Sequence, residues 1–308
     1  MKVFKDITEF DVSAPSIVTT GTFDGVHKGH AQILSKLVSE AKANYAKSVV
    51  LTFFPHPRLV LFPDDNDLKQ INTLNERINL LREAGVDYLI VQEFTKEFSR
   101  LSALEYARNV LAEKLKTKKI IVGYDHRFGR NREGSFEQLK EFGTMFGFEV
   151  EEISKQMVEE LAVSSTKVRN AIIEGDIMLA NSLLNYSFYL TGKVVQGNNL
   201  GRTIGFPTAN IFVNESYKLI PHNGVYAVTV SVKNQKYKGM MNIGIRPTVE
   251  GRTRTIEVNI LDFNTEIYNE EIKIEFQRKI RDEVKFASID DLKAQLKLDE
   301  AFVRNASK

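Results

Sequence analysis

The chain has 308 residues, 43% hydrophobic and 27% charged, which is an ordinary globular composition and long enough for two domains. Its formal net charge of +2 argues against a general nucleic-acid or membrane-surface binder, and the absence of cysteine excludes disulfides and thiolate metal sites. The sequence shows no secretory signal pattern and no apolar run long enough to span a bilayer, so we expect a cytoplasmic protein.

From residue 16 to about residue 184 the sequence predicts strands alternating with helices. An apolar run over Lys47–Phe54 is typical of a buried parallel strand, and further strands are predicted over residues 17–20, 87–92 and 119–123. Helix starts are predicted from capping boxes, which are Thr73 with Glu76, Ser102 with Glu105 and Ser135 with Gln138. This alternation indicates a parallel sheet covered by helices, and such sheets bind ligands beyond the carboxyl ends of their strands.

A run of lysines follows the helix that Ser102 begins. Positive charges near the last turn of a helix complement its dipole and are usually exposed. We therefore interpret the run as the solvated end of that helix; its members are Lys114, Lys116, Lys118 and Lys119.

The sequence changes character near Tyr186, where short strands separated by turns replace the alternation. Strands are predicted over Tyr189–Val195 and over residues 225–232, 237–243, 255–261 and 272–276, with turn signals such as Lys233-Asn234 between them. This pattern predicts a small closed barrel, followed by a helix capped at Ser288. We therefore expect an α/β domain over residues 1–184 and an all-β domain over residues 185–308.

A glycine-rich turn at residues 21–30 lies between the first of these strands and an amphipathic helix. A helix N-terminus leaves backbone N–H groups unpaired and carries about half a positive charge, so it favours anions. His27 and His30 are three residues apart, which places both rings on one side of the first helical turn, and Lys28 adds a fixed charge. Gly29 lets a bulky ligand approach the backbone. The motif predicts a site that binds a polyphosphate.

Three later stretches fall at strand ends or helix starts of the same domain. They are Pro55-His56-Pro57, residues 123–129, and Ser164-Ser165-Thr166 with Arg169 one turn later. Hydroxyls at a helix start and a guanidinium on the next turn can hold phosphate oxygens. Each stretch alone is more simply a cap or a rigid turn, but their joint placement in one domain favours a shared site.

The second half carries a separate group of polar residues. Thr208 and Asn210 offer neutral oxygens that share a face if their segment is extended, and magnesium takes such oxygens together with substrate phosphates. Glu257 lies on a predicted strand and, taken alone, is most simply a solvent-facing carboxylate. Glycines suit a flexible flap over phosphates and occur here as Gly197, Gly201 and Gly205.

These motifs resemble those of known families. The sequence has neither a Walker phosphate loop nor a dinucleotide-binding glycine motif. His27-Lys28-Gly29-His30 instead resembles the H-x-G-H signature of the nucleotidyltransferase superfamily. With the preceding residues 21–26 it is similar to the FMN adenylyltransferase module of bacterial bifunctional riboflavin kinase/FAD synthetases. Residues 205–210 resemble the riboflavin kinase signature, with that family's later motifs in order, so the resemblance covers essentially the whole chain.

The resemblance implies a Rossmann-like nucleotidyltransferase domain followed by a small closed riboflavin kinase-like β-barrel with a C-terminal helix. It implies that the barrel phosphorylates riboflavin to FMN with ATP. The N-terminal domain would transfer an adenylyl group from ATP to FMN, giving FAD and pyrophosphate. Mg²⁺ is the implied cofactor, and riboflavin, FMN and ATP are the implied partners, with neither nucleic acid nor membrane among them.

The resemblance also implies roles for individual residues. Catalytic roles fall to Glu257, the base for the riboflavin hydroxyl, and to His27, His30 and Arg169. ATP or phosphate binding falls to Gly21, Thr22, Phe23, Asp24, Lys28, Gly29, Ser164, Ser165, Thr166, Gly197, Gly201, Arg202 and Gly205. Flavin binding falls to Phe54, Pro55, His56, Pro57, Asp125, Arg281 and Glu283, and metal binding to Thr208 and Asn210.

The chain departs from this family at Asp125 and His126, where Asn and an aromatic residue are usual, so the adenine contacts there could differ. Two other interpretations remain open. One is another nucleotidyltransferase of the same superfamily, acting on pantetheine phosphate or a pyridine nucleotide, with the barrel as an accessory. The other makes the barrel an RNA- or partner-binding module, which would predict a basic stripe interleaved with exposed aromatic residues.

Overall fold

The computed structural model describes residues 1–64, 68–124, 126–153, 163–197, 200–248 and 251–305. The chain folds as two compact units, Met1–Ser165 and Thr166–Lys308. The domain boundary expected after residue 184 lies further along the chain and stays a prediction.

The first unit is built on a six-stranded parallel sheet. Its strands in chain order are β1 (Lys2–Phe4), β2 (Ser16–Thr20), β3 (Lys47–Phe54), β4 (Tyr88–Glu93), β5 (Thr117–Gly123) and β6 (Glu149–Ile153). Their order across the sheet is β1-β4-β3-β2-β5-β6, and every neighbouring pair is parallel. The chain builds outward from β2 first to one side and then to the other, so the carboxyl end of β2 lies at the switch point where such sheets bind ligands.

Helices cover both faces of this sheet. They are α1 (Lys28–Ala43), α2 (Pro57–Leu61), α3 (Leu74–Glu83), α4 (Ala103–Glu105), which continues as a π-helix over Tyr106–Lys114, and α5 (Phe136–Phe146). Short 3-10 turns occur at Ile7–Glu9, Phe98–Arg100 and Arg130–Arg132. All three predicted capping boxes form. The adjacent residues Ile17 and Val18 of β2 belong to separate buried apolar clusters, as expected for a sheet covered on both faces.

The interpretation of the lysine run is wrong for Lys119. Lys114 ends the π-helix, but Lys119 lies on β5, where its Nζ contacts carboxylates of Glu40 at 2.8 Å, Glu149 at 3.3 Å and Glu151 at 3.4 Å. The hydrogen bond to Glu40, with the other two carboxylates, raises the pKa of Lys119 above its usual value. The strand begins two residues earlier than predicted, so Lys119 lies inside β5 beside acidic side chains and does not form the solvated end of the helix.

The second unit is a closed antiparallel barrel with helices before and after it. Helices α6 (Ser165–Glu174) and α7 (Ile177–Leu184) lead into it, α8 (Leu200–Thr203) follows the first barrel strand, and α9 (Ile289–Asn305) ends the unit. The strands are β7 (Tyr189–Val195), β8 (Ala209–Phe212), β9 (Gly224–Val232), β10 (Gln235–Thr248), β11 (Gly251–Ile260) and β12 (Glu271–Arg281). Around the barrel they run β10-β11-β8-β7-β12-β9. The expected barrel and C-terminal helix are therefore confirmed.

Side chains buried to 1% exposure or less fill this unit, among them Tyr226, Met241, Ile274 and Phe276. The predicted turn at Lys233 and Asn234 has φ of +47° and +68°, the left-handed pair that a two-residue hairpin loop requires. Within the described ranges, no helix is long and apolar enough to cross a membrane.

Candidate active sites

The first part of the glycine-rich turn, residues 21–26, leaves the carboxyl end of β2, and we call it the motif loop. Its backbone is left-handed at Phe23 (φ +49°), Gly25 (φ +88°) and Val26 (φ +37°). A residue with a side chain pays about 1–3 kcal/mol for such a conformation, which persists only where the surroundings hold the backbone. The loop is therefore a rigid feature and not a flexible linker.

Buried polar contacts hold the motif loop in place. The Asp24 carboxylate is 1% exposed, and its Oδ1 accepts the backbone N–H groups of Ile71 at 2.9 Å and Asn72 at 3.3 Å. The Thr52 hydroxyl at the end of β3 donates to the Thr22 carbonyl oxygen at 3.2 Å. The Asp24 side chain therefore faces the protein interior and orders the loop.

Two histidine rings stack at the start of α1, as the spacing predicts. The ring centroids of His27 and His30 lie 3.7 Å apart with planes 16° apart, and His27 Nδ1 accepts the backbone N–H of His30 at 3.4 Å. Burial, with smaller contributions from His27 and Arg77, lowers the pKa of His30 well below its usual 6.5. His30 is thus neutral at pH 7, and its buried Nδ1 has no hydrogen-bond partner among the described residues.

Gly29 permits this stacking. A Cβ atom at Gly29 would lie 3.3 Å from Cε1 of His27 and 3.4 Å from the side chain of Val163. Lys28 beside it is half-buried and supplies a positive charge at the same helix end. The two imidazoles, a lysine and the N-terminus of a 16-residue helix together form a site suited to anions.

Of the later stretches, the structure brings one directly to the motif loop. Ser165 begins α6, and its hydroxyl donates to the backbone carbonyl of Asp24 at 2.8 Å. Ser164 precedes the helix and is exposed. Thr166 and Arg169 follow on α6 within the second compact unit, so their part in this site stays a prediction.

The Pro55-His56-Pro57 stretch follows β3 directly. The Phe54–Pro55 peptide bond is cis, and Pro57 opens α2. His56 caps this short helix, because its Nδ1 accepts the backbone N–H of Arg58 at 3.2 Å. The Phe54 ring is half-buried. The stretch is thus a rigid turn at a strand end, and its flavin contact stays a prediction.

Asp125 lies outside the described residues. Its neighbour His126 stacks on Phe128, with ring centroids 5.9 Å apart and planes 15° apart. β5 ends at Gly123, so this stretch follows a strand as expected. The adenine contacts expected here stay a prediction.

In the barrel, three oxygen-bearing side chains come together. Asn210 on β8 lies directly opposite Glu257 on β11, and the Thr208 hydroxyl donates to Oε2 of Glu257 at 3.3 Å. Directly opposed residues of neighbouring strands share a face of the sheet. Asn259, two residues along β11, donates to the Pro207 carbonyl at 2.7 Å and fixes the segment that carries Thr208.

This donor set fits a magnesium ion shared with substrate phosphates. Mg²⁺ is usually held by one or two protein side chains, with phosphates and waters completing an octahedron of oxygens. Across the described ranges, no group of three or more His, Cys, Asp or Glu side chains could hold a metal by itself. An ion at Thr208 and Asn210 would therefore depend on the nucleotide for its remaining ligands.

Two glycines pack against these side chains without room for a Cβ atom. At Gly197 it would lie 1.9 Å from Nδ2 of Asn210, and at Gly201 it would lie 2.3 Å from the Phe206 carbonyl oxygen and 3.3 Å from Oγ1 of Thr208. Glycine is therefore required at Gly201, where the obstacle is backbone, whereas at Gly197 a Cβ atom would displace the Asn210 side chain.

A pocket of about 350 Å³ opens beside Thr208. Its lining includes Arg202, Phe263 and Tyr268, and Gly205 nearby has φ +87° with open space around it. The sequence analysis did not predict Phe263 and Tyr268 as lining residues of this pocket. Their position shortly after a predicted strand was the one sequence feature that pointed to them. A flat, partly apolar ligand next to a phosphate-binding segment fits this pocket.

Arg281 and Glu283 lie where β12 ends. The Arg281 guanidinium binds the Asp299 carboxylate of α9 through two nitrogens, Nε at 3.1 Å and Nη2 at 2.8 Å, and Asp299 is 1% exposed. Glu283 is exposed and lies beside Gly244, where its Oε1 leaves no space for a Cβ atom. Sequence reasoning missed Asp299, because its spacing on an amphipathic helix gives no sign of a partner on a distant strand.

The two units together define a class of protein: a Rossmann-like nucleotidyltransferase domain followed by a closed barrel of the riboflavin kinase type. The FAD synthetase family model matches residues 10–167, and the riboflavin kinase family model matches residues 184–307. The chain belongs to the bifunctional riboflavin kinase/FMN adenylyltransferase family. The family match over the barrel supports the kinase interpretation over an accessory barrel or an RNA- or partner-binding module.

Similar proteins agree with this membership. The bifunctional riboflavin kinase/FMN adenylyltransferase of Escherichia coli K12 is 39% identical over 289 residues, which is 94% of this chain and 91% of that protein. The protein of the same description from Buchnera aphidicola of Schizaphis graminum is 37% identical over 99% of this chain and 98% of its own. A crystal structure from Streptococcus pneumoniae, described as a macrolide-efflux protein, is 35% identical with a TM-score of 0.90 over 99% of both chains.

Proposed function

We propose that the barrel phosphorylates riboflavin to FMN and that the α/β unit transfers an adenylyl group from ATP to FMN. The observation that carries this proposal is the grouping of Thr208, Asn210 and Glu257 within the unit that the riboflavin kinase family matches. The small-molecule partners are riboflavin, FMN and ATP, and Mg²⁺ is the cofactor.

In the kinase step, the γ-phosphoryl group of ATP passes to the ribityl 5′-hydroxyl of riboflavin. A hydroxyl is a poor nucleophile, and the Glu257 carboxylate accepts its proton as the new O–P bond forms, which is worth about 10²–10⁴-fold in rate. Thr208 and Asn210 would hold the metal, which would neutralise charge on the phosphates. The pocket beside Thr208 receives the rest of the nucleotide, and Gly197, Gly201 and Gly205 allow the phosphates to approach the backbone.

In the adenylyl step, the FMN phosphate attacks the α-phosphorus of ATP and pyrophosphate leaves. The attacking group is already an oxyanion, so no base is needed and catalysis consists of gathering anions and stabilising charge on the leaving group. His27, His30 and Lys28 at the N-terminus of α1 supply this stabilisation. The family resemblance assigns Thr166 and Arg169 as phosphate donors for this step, and Phe54 with the following Pro-His-Pro turn flanks the flavin.

The test separates the two sites in one full-length chain, with flavins resolved by liquid chromatography. Glu257→Gln should make no FMN from riboflavin but should form FAD from added FMN at the wild-type rate. The double variant His27→Ala/His30→Ala should accumulate FMN without FAD. Glu271→Gln, an exposed carboxylate in the same barrel, is the matched control and should leave both products unchanged. A Glu257→Gln variant that phosphorylates riboflavin normally would show that the assignment of the base is wrong.

A further inference from the structure

Arg77 on α3 is only 1% exposed although it carries a permanent charge. Its Nη1 donates to the Thr22 carbonyl at 2.5 Å and to the Thr52 hydroxyl at 3.3 Å, and its Nη2 donates to Oε1 of Gln70 at 3.1 Å. Burying a guanidinium is costly unless it forms hydrogen bonds of this kind. These bonds join three segments: the motif loop, the end of β3 and the stretch before α3.

The contact with Thr22 falls at the strained part of the motif loop. Thr22 and Asp24 flank Phe23, whose φ is +49°. Arg77 holds the carbonyl on one side, and the backbone N–H of Ile71 holds the carboxylate of Asp24 on the other at 2.9 Å. A single structural segment, α3 with the residues just before it, thus fixes the loop on both sides of its left-handed residue.

The same loop residue touches the histidine pair. The Phe23 ring lies against His30, with centroids 5.0 Å apart, and His30 stacks on His27 at 3.7 Å. A shift of the Thr22 carbonyl would move Phe23 and, through it, the imidazoles. The Arg77 charge is also near enough to contribute to the lowered pKa of His30, after burial and the effect of His27.

We propose that Arg77 is a positioning residue for adenylyl transfer, which sets the two imidazoles by fixing the Thr22 carbonyl and the Phe23 ring. The proposal rests on the function proposed above for the α/β unit. Arg77 itself is too deeply buried to bind a nucleotide, so it acts through the loop. A misplacement of catalytic groups by about 1 Å can cost roughly 10²-fold in rate, so this position is sensitive to small changes.

The test compares Arg77→Lys and Arg77→Met in the full-length enzyme, with FAD formation from FMN and ATP measured below the melting temperature of each variant. Arg77→Met removes every donor and should lower kcat by about 10²-fold with little change in KM. Arg77→Lys keeps a charge and a donor for Thr22 but cannot form all three hydrogen bonds, so it should recover about tenfold of that loss and leave kcat about tenfold below wild type. Arg82→Met on the same helix is the matched control, because its exposed guanidinium bonds Asn79 at 2.6 Å and should leave kcat unchanged.

Riboflavin phosphorylation by the same preparations reports that the chain is intact, and a melting curve reports that the α/β unit is folded in the assay. Folded Arg77 variants with wild-type kcat would overturn the inference. If Arg77→Met does not fold, the test rests on Arg77→Lys. A lowered kcat in folded Arg77→Lys supports the inference, and an unchanged kcat overturns it. If instead His27→Ala/His30→Ala retains FAD formation, the proposed function of the site has failed, which is a separate outcome.

Discussion

Replacing Gly197 by alanine tests the barrel site through a single methyl group. The new Cβ atom would lie 1.9 Å from Nδ2, 2.5 Å from Cγ and 2.8 Å from Oδ1 of Asn210, so the amide must rotate away. Rotation of a short side chain leaves the backbone pairing of β8 intact, and we expect little loss of stability. It removes the amide oxygen that we propose as a metal ligand, and a contact of this kind with a charged group is worth about 1.5–3 kcal/mol. Since 1.36 kcal/mol is a factor of ten, kcat/KM for MgATP should fall roughly 10- to 150-fold.

The assay is steady-state FMN formation at varied MgATP, with FAD formation from added FMN as the internal control that should not change. A double-mutant cycle with Asn210→Ala makes the test strict. In the Asn210→Ala background there is no amide to displace, so adding Gly197→Ala should lower kcat/KM for MgATP by less than about twofold. Full kinase activity in Gly197→Ala, or effects that simply multiply in the double variant, would refute this reasoning.

Three further predictions concern stability. The pKa of His30 is lowered in the folded state, so His30 binds a proton only in the unfolded chain as pH falls through 6.5. The free energy of unfolding should therefore drop by about 1.4 kcal/mol between pH 7.5 and 5.5, measured by urea titration. A His30→Gln variant whose unfolding free energy depends on pH as steeply as that of the wild type would contradict this prediction. Asp299→Asn breaks the ion pair with Arg281, whose side chain is 19% exposed. The variant should lower the unfolding free energy of the barrel by about 2 kcal/mol and raise KM for riboflavin. An unchanged melting curve would contradict this prediction. Gly143→Ala places a Cβ atom 2.5 Å from the Phe148 carbonyl oxygen and should destabilise the α/β unit by about 1–3 kcal/mol, measured by urea unfolding; wild-type stability would contradict it.

The features that local chemistry fixes were predictable from the sequence. The strand Lys47–Phe54 has the predicted bounds, because eight consecutive residues carry the apolar pattern of a buried strand. The capping boxes form where a hydroxyl and a Glu or Gln are spaced three apart. The stacking of His27 and His30 follows from the same helical spacing.

The features missed depend on partners far away in the chain. β8 is only four residues long, follows Pro207 and carries no apolar alternation, so only its pairing with β7 and β11 makes it a strand. The ion pair of Lys119 was missed because its partner, Glu40, lies 79 residues earlier in the chain. Arg77 presents no motif at all, since its role comes from a carbonyl 55 residues earlier. Long-range pairing of this kind leaves no local signal.

By the proposed function, one chain makes FMN in its barrel and FAD in its α/β unit. The most direct measurement is a time course of flavin products, separated by chromatography, from pure protein supplied with riboflavin, ATP and Mg²⁺. We predict that FMN rises first, that FAD follows, and that chelation of the metal stops the formation of both. A preparation that makes neither product from riboflavin, or no FAD when FMN is supplied, would contradict the account.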